Sequence, residues 1–265
     1  MPHIAIDDIE LYYEVHGKGA PLLVIAGLAS DSQSWAPLTP LLSDAFQVIA
    51  PDNRTTGRTT PRDAPTSVER MAADAVAAFD ALGVEKAHVL GHSMGGVVAM
   101  ALAASYPERV DKLVVCGTSL ARNARTLSLA RTMIALKRAG APEDLWYRNF
   151  FYWLFAPSFF DVPENVDAAV AISMDYPYAQ DIDGMERQID AVEAFQPADL
   201  AARISAPVLA VHGGRDLMIA PQDARASLSA ISGLDFETMP HCAHSLHWDD
   251  PQGFAGIVKR YLTDG

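Results

Sequence analysis

The sequence predicts an α/β fold, a mostly parallel, doubly wound sheet with an inserted helical segment, on three observations. Continuous apolar runs recur at Leu22–Ala26, Phe46–Ala50, Ala87–Leu90 and Lys112–Cys116, as strands buried on both faces require. Helical patterns at Trp35–Leu42, Val68–Leu82 and Gly96–Tyr106 separate them, so helices cover both faces of one sheet. The rhythm then stops at Ser119 and resumes only at Pro207.

Taken in order, His3–Ile6 and Glu10–Val15 alternate apolar and polar positions around Asp7-Asp8 and read as an antiparallel hairpin. The apolar strands and their helices follow, the helix after Ala87–Leu90 ending at Pro107. Between Ser119 and Pro197 no β-branched run occurs. Helical segments are expected at Ala121–Ala139, Glu143–Phe155, Glu164–Met174 and Asp183–Phe195. Aromatics crowd this stretch: Trp146, Tyr147, Phe150, Phe151, Tyr152, Trp153, Phe155, Phe159 and Phe160. They can form a core of their own or line an apolar pocket with their inner face. A strand at Pro207–Val211, a helix at Gln222–Ile231, a strand at Asp235–Met239 and a helix at Pro251–Leu262 complete the alternation. The organisation is therefore one α/β core, residues 1–119 and 198–265, interrupted by a helical insertion at 120–197.

Composition narrows the functional classes. The 265 residues are half hydrophobic and carry a formal charge of −13, which disfavours nucleic acid and anionic membrane surfaces as partners. The N-terminal stretch has no basic region followed by an apolar one, and no apolar run reaches the length of a membrane span; a cytoplasmic protein is expected. Cys116 and Cys242 stand far apart in no metal or redox pattern and read as packing residues. Neither a metal nor a cofactor is expected, and no feature specifies an oligomeric state.

The chemistry is concentrated at Gly91-His92-Ser93-Met94-Gly95-Gly96, between a strand and a helix. A serine at the apex of such a turn has a strained backbone and an exposed hydroxyl at a helix N-terminus, and flanking glycines admit the close approach of strand and helix. A serine nucleophile needs a base, and the base an orienting carboxylate. Downstream, Asp216 follows the strand Pro207–Val211, and His241, His244 and His247 follow Asp235–Met239. Loops at the carboxyl ends of strands gather in one place in an open α/β sheet. Asp31 and Asp52 are further carboxylates, of which Asp52 reads as a turn residue.

These residues resemble the α/β-hydrolase superfamily, in the branch with a helical cap between strands six and seven. The resemblance covers the whole chain. It is carried by Gly91–Gly96, by Pro51-Asp52-Asn53-Arg54 ahead of Gly57-Arg58, by His212-Gly213-Gly214-Arg215-Asp216, and by His244 ahead of Asp250-Pro251. It implies Ser93 as nucleophile, Asp216 as acid, His244 as base, and an oxyanion hole from the backbone N–H groups of Met94 and Leu28. Two departures stand out: Ala26 replaces the family's histidine in Ala26-Gly27-Leu28, and Thr55-Thr56 follow Arg54 where a glycine and a polar or aromatic residue are usual. Asn53 and Arg54 accordingly read as turn or salt-bridge residues.

The implied function is a serine hydrolase that cleaves a small or medium carboxylic ester or lactone through an acyl-enzyme, similar to esterases and 3-oxoadipate enol-lactonases. C–C hydrolysis of ring-cleavage products and cofactor-free perhydrolysis use the same triad and form the alternative; a ligand receptor on this scaffold is a further one. Dehalogenases and epoxide hydrolases place Asp where this chain has Ser93. Arg122, Arg125, Lys137, Arg138 and Arg148 read as surface charges rather than substrate anchors.

Overall fold

A computed structural model describes residues 2–195 and 198–263. Eight strands form one sheet in the order β1-β2-β4-β3-β5-β6-β7-β8, with β1 His3–Ile6, β2 Ile9–His16, β3 Ala20–Ile25, β4 Phe46–Pro51, β5 Ala87–His92, β6 Val110–Cys116, β7 Val208–Gly213 and β8 Leu234–Met239. The hairpin β1–β2 joins β4 antiparallel, and every pairing from β4 through β8 is parallel. The helices are α1 Thr39–Leu42, α2 Val68–Leu82, α3 Met94–Ser105, α4 Ala124–Arg138, α5 Glu143–Leu154, α6 Pro163–Asp175, α7 Ile182–Ala194, α8 Leu200–Arg203, α9 Pro221–Leu228, α10 Leu246–Asp249 and α11 Pro251–Thr263. None is long and apolar enough to cross a membrane.

The inner strands β3 to β7 are mostly apolar because both faces are covered. Along β3, Leu23 and Ile25 pack with α2 and α3, whereas Leu22 and Val24 pack with α1 and α11. The same alternation divides Leu113 and Val115 from Val114 and Cys116 in β6, and Val208 and Ala210 from Leu209 and Val211 in β7. Cys116 and Cys242 are unpaired and buried. Helix α11 shows the usual amphipathic spacing, burying Phe254, Ala255, Val258 and Leu262. Helix α3 is buried nearly all round, so its composition is apolar and small. Local signals set α2: the Ser67 hydroxyl accepts the Arg70 N–H, and Gly83 ends the helix in the left-handed region at φ 69°.

Three expectations are corrected. The helix expected at Trp35–Leu42 is a 3-10 turn, Ser32–Trp35, followed by α1, because Pro37 and Pro40 interrupt the backbone ladder and Pro40 is tolerated only in the first turn of α1. The helix expected from Ala121 starts at Ala124, where the Asn123 side chain accepts the Thr126 N–H; α9 likewise stops at Leu228 rather than Ile231. Helices α4 to α7 lie between β6 and β7. Their apolar faces meet around Met133, Ile134, Trp146, Met185 and Ile189, with a second cluster at Phe151, Val166 and Val170. The expected end of the insertion at residue 197 lies outside the described residues.

Asn53 and Arg54 serve the fold. Arg54 is buried and forms a two-pronged pair with Asp74, its Nε and second guanidinium nitrogen donating at 2.5 and 2.8 Å, while a third nitrogen reaches Asp8 at 2.7 Å. A charge removed from water requires its partner. Asp74→Ala is therefore expected to cost about 3–5 kcal/mol in urea unfolding by removing the buried partner of Arg54 and leaving it only the half-exposed Asp8, and Asp74→Ala combined with Arg54→Met to cost less than the single change.

Candidate active site

Strand β5 ends at His92 and α3 begins at Met94, so Ser93 alone makes the turn, with φ 54° and ψ −118°. This conformation is costly for a residue with a side chain and persists only where the surroundings enforce it. The Ser93 N–H donates to the Cys116 carbonyl at 2.9 Å, tying the turn to β6, and the Ser93 carbonyl accepts from Gly96 and Val97. The glycines reflect close approach. A Cβ on Gly95 would lie 2.1 Å from the Ile25 carbonyl oxygen, and one on Gly91 would lie 2.3 Å from that of Gly95.

Loops from three strand ends converge on the serine. Ser93 Oγ lies 3.0 Å from His244 Nε2, and His244 Nδ1 lies 2.8 Å from Asp216 Oδ2. With Nδ1–H donating to Asp216, Nε2 is left to accept the serine hydroxyl. The other Asp216 oxygen accepts the Met218 and Ile219 N–H groups at 2.7 and 2.9 Å. Burial alone would raise the Asp216 carboxyl, but the His244 imidazole and these two amides outweigh it and hold the group below its ordinary range. The competing histidines stand elsewhere. His241 is exposed, and His247 is buried against the Trp35 and His92 rings.

The loop after β3 carries Leu28 beside Ser93, both lining the same two cavities. Met94 opens α3, where first-turn N–H groups have no acceptor within the helix. Asp52 and Asp31 hold this region together. Asp52 accepts the Ser32 and Arg58 N–H groups at 2.8 and 2.7 Å, and Asp31 accepts the Gln33 N–H and the Tyr176 hydroxyl at 2.9 and 2.6 Å.

Several site residues escaped the sequence reading. His92 Nε2 donates to the His244 carbonyl at 2.9 Å. Asp249 accepts the Ala243 N–H at 2.7 Å and the Ala156 N–H at 3.0 Å, fixing the His244 loop to the segment after α5. His92 lies inside the serine motif and Asp249 next to the Asp-Pro pair, the local signals that marked them. Burial pushes His247 down to about 3 and His212 to about 4, and holds His92 well below its ordinary value. Among the described residues neither His212 ring nitrogen has a hydrogen-bond partner, and its ring stacks on Phe236.

Two cavities of about 430 and 520 Å³ meet at Leu28, Ser93, Ala130 and Met218. The first is walled by Trp146, Tyr147, Phe150 and Phe151 of α5, so these rings both pack the helical segment and face open space. Tyr152, by contrast, is exposed and stacks on Phe160. The second runs between α3, α4 and α7. Arg122 reaches its wall but is paired with Glu193. Lys137, Arg138 and Arg148 pair with carboxylates at the surface, and Arg125 lies over the Trp153 ring.

The alpha/beta hydrolase fold family matches residues 20–251, and the chain belongs to this superfamily of enzymes. A pyrrolizixenacetamide deacetylase of Xenorhabdus hominickii is 27% identical across 99% of this chain and 98% of its own. A Variovorax paradoxus protein provisionally named carbamate hydrolase RutD is 29% identical across 96% and 95%. The crystal structure of the enol-lactonase from Burkholderia xenovorans superposes with a TM-score of 0.82 at 26% identity, covering 99% of this chain and 100% of that one. The chain is thus similar to hydrolases that differ in the bond they cleave.

Two outcomes follow from the packing. Gly95→Ala is expected to yield protein that is misfolded or destabilised by several kcal/mol, since the added methyl meets main chain that cannot move aside; thermal melting checks it. Because His212 and His247 stay neutral in the folded chain while the unfolded chain takes up protons near pH 6.5, stability is complete above about pH 6.5 and falls as pH drops toward 4. Urea midpoints at about pH 7 and 5 should differ accordingly, and His212→Leu should reduce that difference.

Proposed function

We propose that this chain is a serine hydrolase that cleaves a small or medium carboxylic ester or lactone through an acyl-enzyme, with Ser93, His244 and Asp216 as its catalytic residues. One observation carries the reading: the chain Ser93 Oγ, His244 and Asp216, linked at 3.0 and 2.8 Å, opens at the junction of two cavities. In the first half-reaction His244 Nε2 takes the Ser93 proton as Oγ attacks the carbonyl carbon. Asp216 holds the ring in the tautomer that allows this and stabilises the imidazolium formed. The N–H groups of Met94 and Leu28 receive the oxyanion, aided by the positive end of α3. His244 then protonates the leaving oxygen as the carbon–oxygen bond breaks. Water, deprotonated by the same nitrogen, releases the acid and restores Ser93.

Substrate size is supported by the cavities, since an acyl portion and a leaving group on either side of Ser93 would each have a chamber of ordinary ligand volume. Residues 120–197 act in this reading as a cap, because α4, α5 and α7 supply much of both walls. The substrate is a small molecule and the chemistry needs no cofactor. The buried, unpaired cysteines fit a cytoplasmic enzyme. The names of the deacetylase and carbamate-hydrolase relatives support a second reading, in which the same steps expel an amine from an amide or carbamate.

Turnover of a panel of p-nitrophenyl esters, lactones, anilides and aryl carbamates tests the reading. Ser93→Ala is expected to lower kcat by at least roughly 10³-fold with unchanged melting, and Asp216→Asn by about 10⁴-fold. Substantial ester turnover by Ser93→Ala ends the proposal.

A further inference from the structure

The geometry points to Gln180 as a positioning residue for the oxyanion hole, an inference that rests on the serine-hydrolase reading above. The N–H of Leu28 belongs to the peptide between Gly27 and Leu28, and the peptides on either side of it are both pinned. The preceding one is held through its carbonyl, Ala26 O, which accepts from Asn53 Nδ2 at 3.0 Å. The following one is held through the Ala29 N–H, which donates to Gln180 Oε1 at 3.1 Å. Fixing two flanking peptide planes leaves the middle one only small rotations, so the direction of the Leu28 N–H is set from both ends.

Gln180 can hold its end because it is itself held. Its Nε2 donates to the Thr55 carbonyl at 3.1 Å, which assigns the amide orientation and turns Oε1 toward Ala29. The side chain is buried, and it reaches the loop from the segment between α6 and α7 rather than from the sheet. Its anchor is the main-chain carbonyl of Thr55, one of the two threonines unexpected in this position, whose hydroxyl lies farther off at 3.4 Å. Ala29 is a non-glycine residue at φ 59°, a conformation that must be imposed from outside, and the Gln180 bond acts on its N–H. Gln180 also lines the cavity of about 430 Å³ that opens on Ser93, so substrate in that cavity lies beside the residue that orients the donor.

The test compares wild type with Gln180→Met, which fills a similar volume and forms neither bond, and Gln180→Glu, which keeps an acceptor for Ala29 but loses the donor to Thr55. Wild type is first treated with a fluorophosphonate and assayed on a p-nitrophenyl ester. Gln180→Met is expected to lower kcat about tenfold or more while KM stays within about twofold, because only the transition state calls on the oxyanion donors. Affinity for a trifluoromethyl ketone, which forms a tetrahedral adduct on Ser93, should fall in parallel with kcat/KM, while affinity for the product carboxylate holds. Backbone amide exchange over residues 26–30 should quicken, and Gln180→Glu should recover part of kcat. Wild-type kcat and ketone affinity in folded Gln180→Met overturn the inference, as does an equal loss of ketone and product binding. If Gln180→Met does not fold, the smaller Gln180→Ala, which also forms neither bond, decides: kcat equal to wild type with unchanged amide exchange overturns it. Wild type that neither reacts with fluorophosphonate nor turns over any ester overturns the serine-hydrolase reading and this inference together.

Discussion

A methyl group on Gly95 would lie 2.1 Å from the carbonyl oxygen of Ile25, and that clearance between α3 and the end of β3 governs everything built above the sheet. With side-chain bulk at Gly95, α3 would have to stand off, and Ser93 could no longer occupy its turn while bonding Cys116. The approach also brings the first turn of α3 against the loop that carries Leu28. One steric fact therefore places the Ser93 hydroxyl, the Met94 N–H and the loop that carries Leu28. The remaining contacts adjust this arrangement without creating it.

Much of this was legible in the sequence, for identifiable reasons. The parallel strands carry apolar residues on both faces, so their position could be read without knowing their partners. Ser93, Asp216 and His244 each stand in a loop directly after a strand, where chain order alone brings them to the same edge of the sheet. At Trp35–Leu42 the apolar spacing matches a helix, but Pro37 and Pro40 break the backbone ladder that spacing alone does not report. The two side chains that hold the loop after β3 were not legible at all. Asn53 lies 27 positions from its acceptor and Gln180 lies 151 from its donor. No periodicity or local motif connects residues so far apart in the chain.

The replacement of the family histidine by Ala26 is where sequence and structure complement each other most. The sequence lacks a usual support there; in the structure Asn53 from the core and Gln180 from the segment after α6 bond the peptides on either side of the Gly27–Leu28 one. The buried histidines make a similar point about charge. His92, His212 and His247 surround His244 as neutral rings, joined to it by packing and by one hydrogen bond to its carbonyl. Among them, only His244 has a carboxylate on one nitrogen and a hydroxyl on the other.

Attachment divides the molecule into two kinds of part. Ser93, Asp216 and His244 hang from strand ends, whereas much of the walls of the two cavities hangs from α4, α5 and α7, with α5 carrying the aromatic rings. Substitutions at wall positions such as Tyr147, Phe150 or Leu127 can reshape the chambers while the strand ends stay in register. The molecule is in this sense modular for laboratory evolution: a library confined to the helical walls samples new substrates on an unchanged reactive frame. The exception lies at Gln180, where wall and frame share a residue, and diversity introduced there would disturb both.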